Sequence, residues 1–175
     1  MFPKFPKLEP LCRYLDGLKE RVDLQVLGYH LRELELEPED IAEACLFSDD
    51  HYNRNKVAHG PWYDLFIICW KPGQASFIHD HTGSSCGFKV LTGTATETVF
   101  EKTGAMRNDL PVARAVDTHD FQAGAVCLAQ DEAIHRVINL NHEKDLITLH
   151  VYSPPLDMHY YEEEVAEPVE TISQV

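Results

Sequence analysis

From residue 52 onward the chain breaks into short runs of β-branched and aromatic residues separated by turn residues, at 63–70, 76–79, 86–91, 95–100, 113–116, 125–128, 135–139 and 146–152. Runs this short cannot bury a face on their own, so their close spacing predicts a sandwich or barrel in which successive strands share one core. The first third reads differently. Leu11, Leu15, Leu18 and Val22 keep helical spacing, as do Leu24, Leu27, Leu31 and Leu34, and Pro38 opens a third short helix over EDIAEAC. These stripes are expected to pack on the strands. The reading is one mostly β domain over 1–175, with a helical segment over about 1–48, a β-barrel over 52–157 and an acidic tail over 158–175 whose charge run is solvated and partly mobile.

Charge narrows the partners. With 29 acidic against 15 basic residues the formal charge is −14, which argues against nucleic acid and anionic membranes and leaves small soluble molecules. MFPKFPKLEPLCRYL has prolines where a secretion signal needs an unbroken apolar stretch, and no span reaches membrane length, so a cytoplasmic monomer is expected. Five cysteines, at 12, 45, 69, 86 and 127, lack the even count and paired spacing of a disulfide or zinc framework. Reduced thiols follow. Cys69 and Cys127 sit in apolar runs as buried, inert groups.

The chemistry concentrates in GQASFIHDHTGSSCGFKVLTG, residues 73–93. On a strand His79 and His81 point to one face and Asp80 to the other, so two imidazoles converge and Asp80 does not join them. His-x-His alone is common. Its context is what separates a ligand pair from two satisfied histidines.

Gly73, His79, His81, Cys86 and Gly93 fall at the spacings of the first signature of the cupin β-barrels, with Cys86 where that signature has a glutamate. Gly124, His135 and Asn139 match the second signature, while Gln130 and Glu132 replace its Pro and Gly. YNRN at 52–55, HDHTGSSCGFKVLTG at 79–93, IHRV at 134–137 and LHVYSPP at 149–155, in this order, make the chain similar to the thiol dioxygenases, and to cysteine dioxygenases in particular, from about residue 52 to residue 157. The resemblance implies a cupin-type antiparallel β-barrel, or jelly roll, behind an N-terminal helical segment.

It also implies a metal centre of His79, His81 and His135. With Cys86 in place of the carboxylate, the ion has only neutral protein donors, keeps its full charge and favours an anionic thiolate. Three imidazoles alone suit zinc, nickel or copper as well; Fe(II) comes from the resemblance. The implied reaction joins O2 to the sulfur of L-cysteine, both atoms ending there as a sulfinate. Sulfur supplies all four electrons, so no flavin or nicotinamide is required, and no GxGxxG or P-loop run is present.

The remaining site residues follow from the same match. Arg54 stands at the family's substrate-carboxylate position, where a guanidinium fork can take two hydrogen bonds. The related mercaptopropionate dioxygenases carry glutamine there. Tyr52 and Trp70 match residues near the family pocket, as substrate contacts or as packing. Alternation in LITLHVYSPP puts Thr148, His150 and Tyr152 on one face, which resembles a Ser-His-Tyr relay with threonine for serine. Cys86 and Tyr152 are the positions that the family joins by a thioether, and Ser153-Pro154 matches a family cis bond. Catalytic roles are therefore expected for Tyr152, His150 and Cys86. Two other readings stand beside cysteine oxidation: a dioxygenase for 3-mercaptopropionate or another small thiol, and a non-catalytic metal- or ligand-binding cupin. Arg54 and Cys86 weigh against the first, and the retained His150 and Tyr152 against the second.

Overall fold

The computed structural model describes residues 5–165. Two helices, α1 (Glu9–Asp16) and α2 (Leu24–Glu33), precede a 3-10 helix over Pro38–Ala44 and eight strands: β1 (Asn53–Gly60), β2 (Tyr63–Trp70), β3 (Ile78–Thr92), β4 (Thr94–Arg107), β5 (Leu110–Gln122), β6 (Val126–Ile138), β7 (Leu146–Ser153) and β8 (Tyr160–Glu163). The spatial order is β1-β2-β7-β3-β6-β4-β5-β8, and β8 also pairs with β3, so the sheet folds back on itself. All pairings are antiparallel except β5 with β8.

The alternation of β2 and β7 divides the interior in two. Leu65 and Ile67 on β2, with Ile147, Leu149 and Val151 on β7, face Leu11, Leu15, Leu27 and Leu31 of the helices. Phe66, Ile68 and Trp70, with Tyr152 of β7 and Cys86, Phe88 and Val90 of β3, fill the inside of the barrel. Each fully buried leucine of the helical layer stabilises the fold by about 1.5–3 kcal/mol. Helix α2 lies so close to β3 that a Cβ at Gly87 would meet the Leu31 side chain at 2.7 Å. Lys89 holds the same helix by its end, donating from Nζ to the carbonyls of Leu31 at 3.0 Å and Leu34 at 2.6 Å, where a cation complements the helix dipole. Gly93, the single residue between β3 and β4, has φ 83°, and a Cβ there would meet the Asp145 carbonyl at 2.8 Å.

Four local expectations change. The first helix stops at Asp16 rather than running to Val22: Gly17 caps it, and Val22 instead donates its backbone N–H to Ser153 Oγ at 3.0 Å. The segment at 38–44 is 3-10 rather than α, with a kink at Ile41. The end of the run at 76–79 and the whole run at 86–91 belong to one long strand, β3, which begins at Ile78 and is carried through the HDHTGSS stretch by register shifts between His79 and His81 and between His81 and Ser85. The start of the acidic tail is neither free nor wholly solvated. Tyr161 is buried, its hydroxyl donating to Asp80 Oδ2 at 2.6 Å. Residues 166–175 of the tail lie outside the described residues. The Ser153-Pro154 peptide is cis.

Candidate metal centre and substrate cavity

His79 and His135 are directly opposed across β3 and β6, and His81 follows two residues along β3. The three rings stand with centroids 5.1, 4.7 and 4.6 Å apart, and one nitrogen from each lies within 4.8 Å of the others. Among the described residues this group includes neither a carboxylate nor a thiol. Asp80, between the two β3 histidines, turns away and engages Tyr161, the Thr82 N–H and His159.

The rings fit a metal ion. His79 Nδ1 sits 2.9 Å from the Phe77 carbonyl and His135 Nδ1 2.5 Å from Glu97 Oε1, which leaves Nε2 of each ring available to the group. Both nitrogens of buried His81 lack a hydrogen bond, with the backbone of Ala133 near but not in bonding geometry. An orphaned buried imidazole is costly unless something else occupies its lone pair. Burial, reinforced by the neighbouring His135, pushes His79 down to about 3 and His81 down to about 2, so both are neutral donors at ordinary pH. For Glu97, burial works against ionisation, but the hydrogen bond and charge of His135 hold its carboxyl below the usual range.

A narrow cavity, about 290 Å³ with its mouth, reaches His79 and His135 and is lined by Tyr52, Arg54, Trp70, His150, Tyr152 and Met158. Arg54 enters from β1, its guanidinium 4.6 Å above the Phe66 ring and 5.4 Å from that of Tyr152. Among the described residues its buried Nε has no partner, and Nη1 meets the Met158 sulfur at 3.7 Å. A guanidinium held this way has donors to spare for an anion.

Behind the cavity runs a chain of hydrogen bonds. Tyr152 Oη lies 3.2 Å from His150 Nδ1, and His150 Nε2 lies 2.9 Å from Thr148 Oγ1, which also accepts from Trp70 Nε1–H at 2.9 Å. Burial, helped by Arg54, drives His150 well below its ordinary value, so the ring is neutral. Burial likewise raises Tyr152 above the ordinary phenol, and it raises Cys86 above the ordinary thiol. Cys86 pairs directly with Tyr152 across β3 and β7. Tyr52 stacks on Trp70 at 4.4 Å.

Of the site residues expected from the sequence, Tyr52, Arg54, Trp70, His79, His135, His150 and Tyr152 line the cavity, while His81 adjoins the other two rings and Cys86 pairs with Tyr152. Trp70, expected near the pocket, lines the cavity and in addition anchors Thr148 through its indole N–H. Two participants were missed, Met158 and Glu97. Met158 follows the family motifs and carries no motif of its own. Glu97 was not singled out, although in TATETVF it shares parity with Ala95, and a carboxylate on an inward-facing strand position was a usable signal.

The barrel defines the class of protein first. A protein with a double-stranded β-helix domain from Klebsiella pneumoniae superposes with TM-score 0.57 at 18% identity, over 70% of this chain and 88% of that one, so the fold is a double-stranded β-helix. Within that class, the family model described as Cysteine dioxygenase type I matches residues 15–164. Cysteine dioxygenase type 1 of Rattus norvegicus is 32% identical over 153 residues, and that of Homo sapiens 31% over 153 residues, each match spanning 86% of this chain and 76% of the relative. The chain belongs to the cysteine dioxygenase type I family.

Proposed function

We propose that the protein oxidises L-cysteine with O2 to cysteine sulfinic acid, using Fe(II) held by His79, His81 and His135. The observation that carries the proposal is the meeting of two unmet demands at one cavity: a cluster of three imidazoles without a carboxylate among them, and a guanidinium with an unpartnered buried donor. A small amino acid carrying a thiol and a carboxylate answers both. Iron supplies the open coordination positions that turn the thiol into a thiolate and bring O2 to its sulfur.

The chain's own residues orient and protonate. Arg54 takes the substrate carboxylate in its fork, with the Phe66 and Tyr152 rings beside the guanidinium partly shielding it from water. Tyr152 keeps its proton at neutral pH and offers a hydroxyl to the bound substrate, while neutral His150 holds that hydroxyl in place. Thr148, itself fixed by Trp70, anchors the far nitrogen of His150 and keeps the relay in one tautomer. Tyr52, stacked on Trp70, closes one wall of the cavity. Cys86 and Tyr152, neighbours across two strands, form the thioether crosslink during oxidative turnover. We place the enzyme in the cytoplasm as a monomer, with small molecules rather than nucleic acid or membranes as partners.

The test is metal analysis of anaerobically prepared protein joined to O2 uptake and sulfinate detection with cysteine, 3-mercaptopropionate and cysteamine. Iron with cysteine-dependent sulfinate is expected. Preference for mercaptopropionate would assign the chain to the sibling reaction, and metal without uptake on any thiol would make it a binding cupin.

A further inference from the structure

We infer that Glu97 is the positioning residue for His135: its carboxylate accepts the Nδ1 proton, fixes the tautomer that turns Nε2 to the metal, and supplies from one hydrogen bond away the negative charge that the three-histidine set lacks. The inference rests on the reading that those histidines hold a metal. On β4, Glu97 is opposite Val137 while Val99 is opposite His135, which makes Glu97 the diagonal neighbour of His135 on the same face of the sheet. Both side chains are buried and lie 2.5 Å apart. The second contact of the carboxylate is the Cys127 thiol, 3.6 Å from each oxygen, which turns a cysteine in an apolar run into a donor that holds Glu97 in place.

The three ligands are therefore unequal. His79 leans on a backbone carbonyl, His81 on nothing within hydrogen-bonding geometry, and His135 on a carboxylate. A buried carboxylate is expensive unless it is paired, so a site built only from packing would not keep one here. A carboxylate on the distal nitrogen raises the basicity of an imidazole ligand and fixes its ring, and losing such a partner costs about 10–100-fold in metal affinity.

The test uses Glu97→Gln, which keeps the shape and one acceptor but not the charge. Anaerobic Fe(II) titration of the apo form against a chelator should show binding weaker by about 10–100-fold in the variant. The Fe(III)/Fe(II) midpoint should rise, because the oxidised ion loses an anionic neighbour. In the Zn(II)-loaded parent, proton–nitrogen NMR should find His135 carrying a strongly downfield Nδ1 proton, and this measurement does not depend on the variant folding. A folded variant that binds Fe(II) as tightly as the parent at an unshifted potential overturns the inference, as does a parent whose His135 carries no proton on Nδ1. Failure of the parent itself to bind Fe(II) would instead bring down the three-histidine reading, and the inference with it.

Discussion

Replacing Arg54 by glutamine isolates the substrate carboxylate. Among the described residues the guanidinium has an unpartnered Nε and a long contact to sulfur, so little of its hydrogen-bonding capacity is committed there. A substrate carboxylate in the fork would gain two charge-assisted hydrogen bonds of about 1.5–3 kcal/mol each. Glutamine retains one neutral hydrogen bond of about 1 kcal/mol. Arg54 is half-buried and the cavity has an open mouth, so screening trims the difference to about 2–4 kcal/mol. At about 1.4 kcal/mol per decade that is a fall of about 30- to 1,000-fold in kcat/KM for cysteine. Losing the cation above Tyr152 also disturbs the cavity generally, and cysteamine, which has the thiol and amine but no carboxylate, reports that general effect. Oxygen uptake with both substrates on iron-loaded parent and variant gives the ratio of the two losses. If cysteine and cysteamine fall by the same factor, Arg54 does not hold the carboxylate.

Thr148→Val should destabilise the fold by about 2–4 kcal/mol, since it strands both the Trp70 N–H and the far nitrogen of His150, while Thr148→Ser should stay close to the parent; urea midpoints compare them. Because burial holds His150 neutral far below its ordinary pKa of 6.5, the unfolded chain takes up a proton there that the native state refuses. The stability this group contributes is complete above pH 6.5 and falls as pH drops below it, by at most about 1.4 kcal/mol per pH unit, and a His150→Asn variant should show a shallower acid slope in the apo form. Intact mass after aerobic turnover with cysteine should show the loss of one hydrogen pair, absent in Cys86→Ala; active enzyme of unchanged mass would reject the crosslink.

The strands that read clearly in the sequence are those with an apolar inner face, and β2 begins and ends at the residues its pattern predicts. Strand β1 was not legible because NRNKVAHG has no alternation: its residues are half-buried or exposed along the whole length, and it is held by pairing with β2. Strand β8 was hidden for a related reason. Its acidic residues look solvated, and only Tyr161, reaching Asp80 across the sheet, reveals why the segment docks. Spacing likewise separated His79 and His81 from Asp80, because a period of two follows from the backbone itself.

Taken alone, the sequence determined the strand-rich architecture, the three imidazoles, the relay on one face of β7 and the family motifs, since each depends on local periodicity or fixed offsets along the chain. Tertiary structure alone decided that Glu97 stands behind His135, that Trp70 holds Thr148 and that Arg54 keeps free donors beside the rings. Those relations join strands far apart in sequence, and register between strands is set by how the whole sheet closes and packs rather than by any one segment.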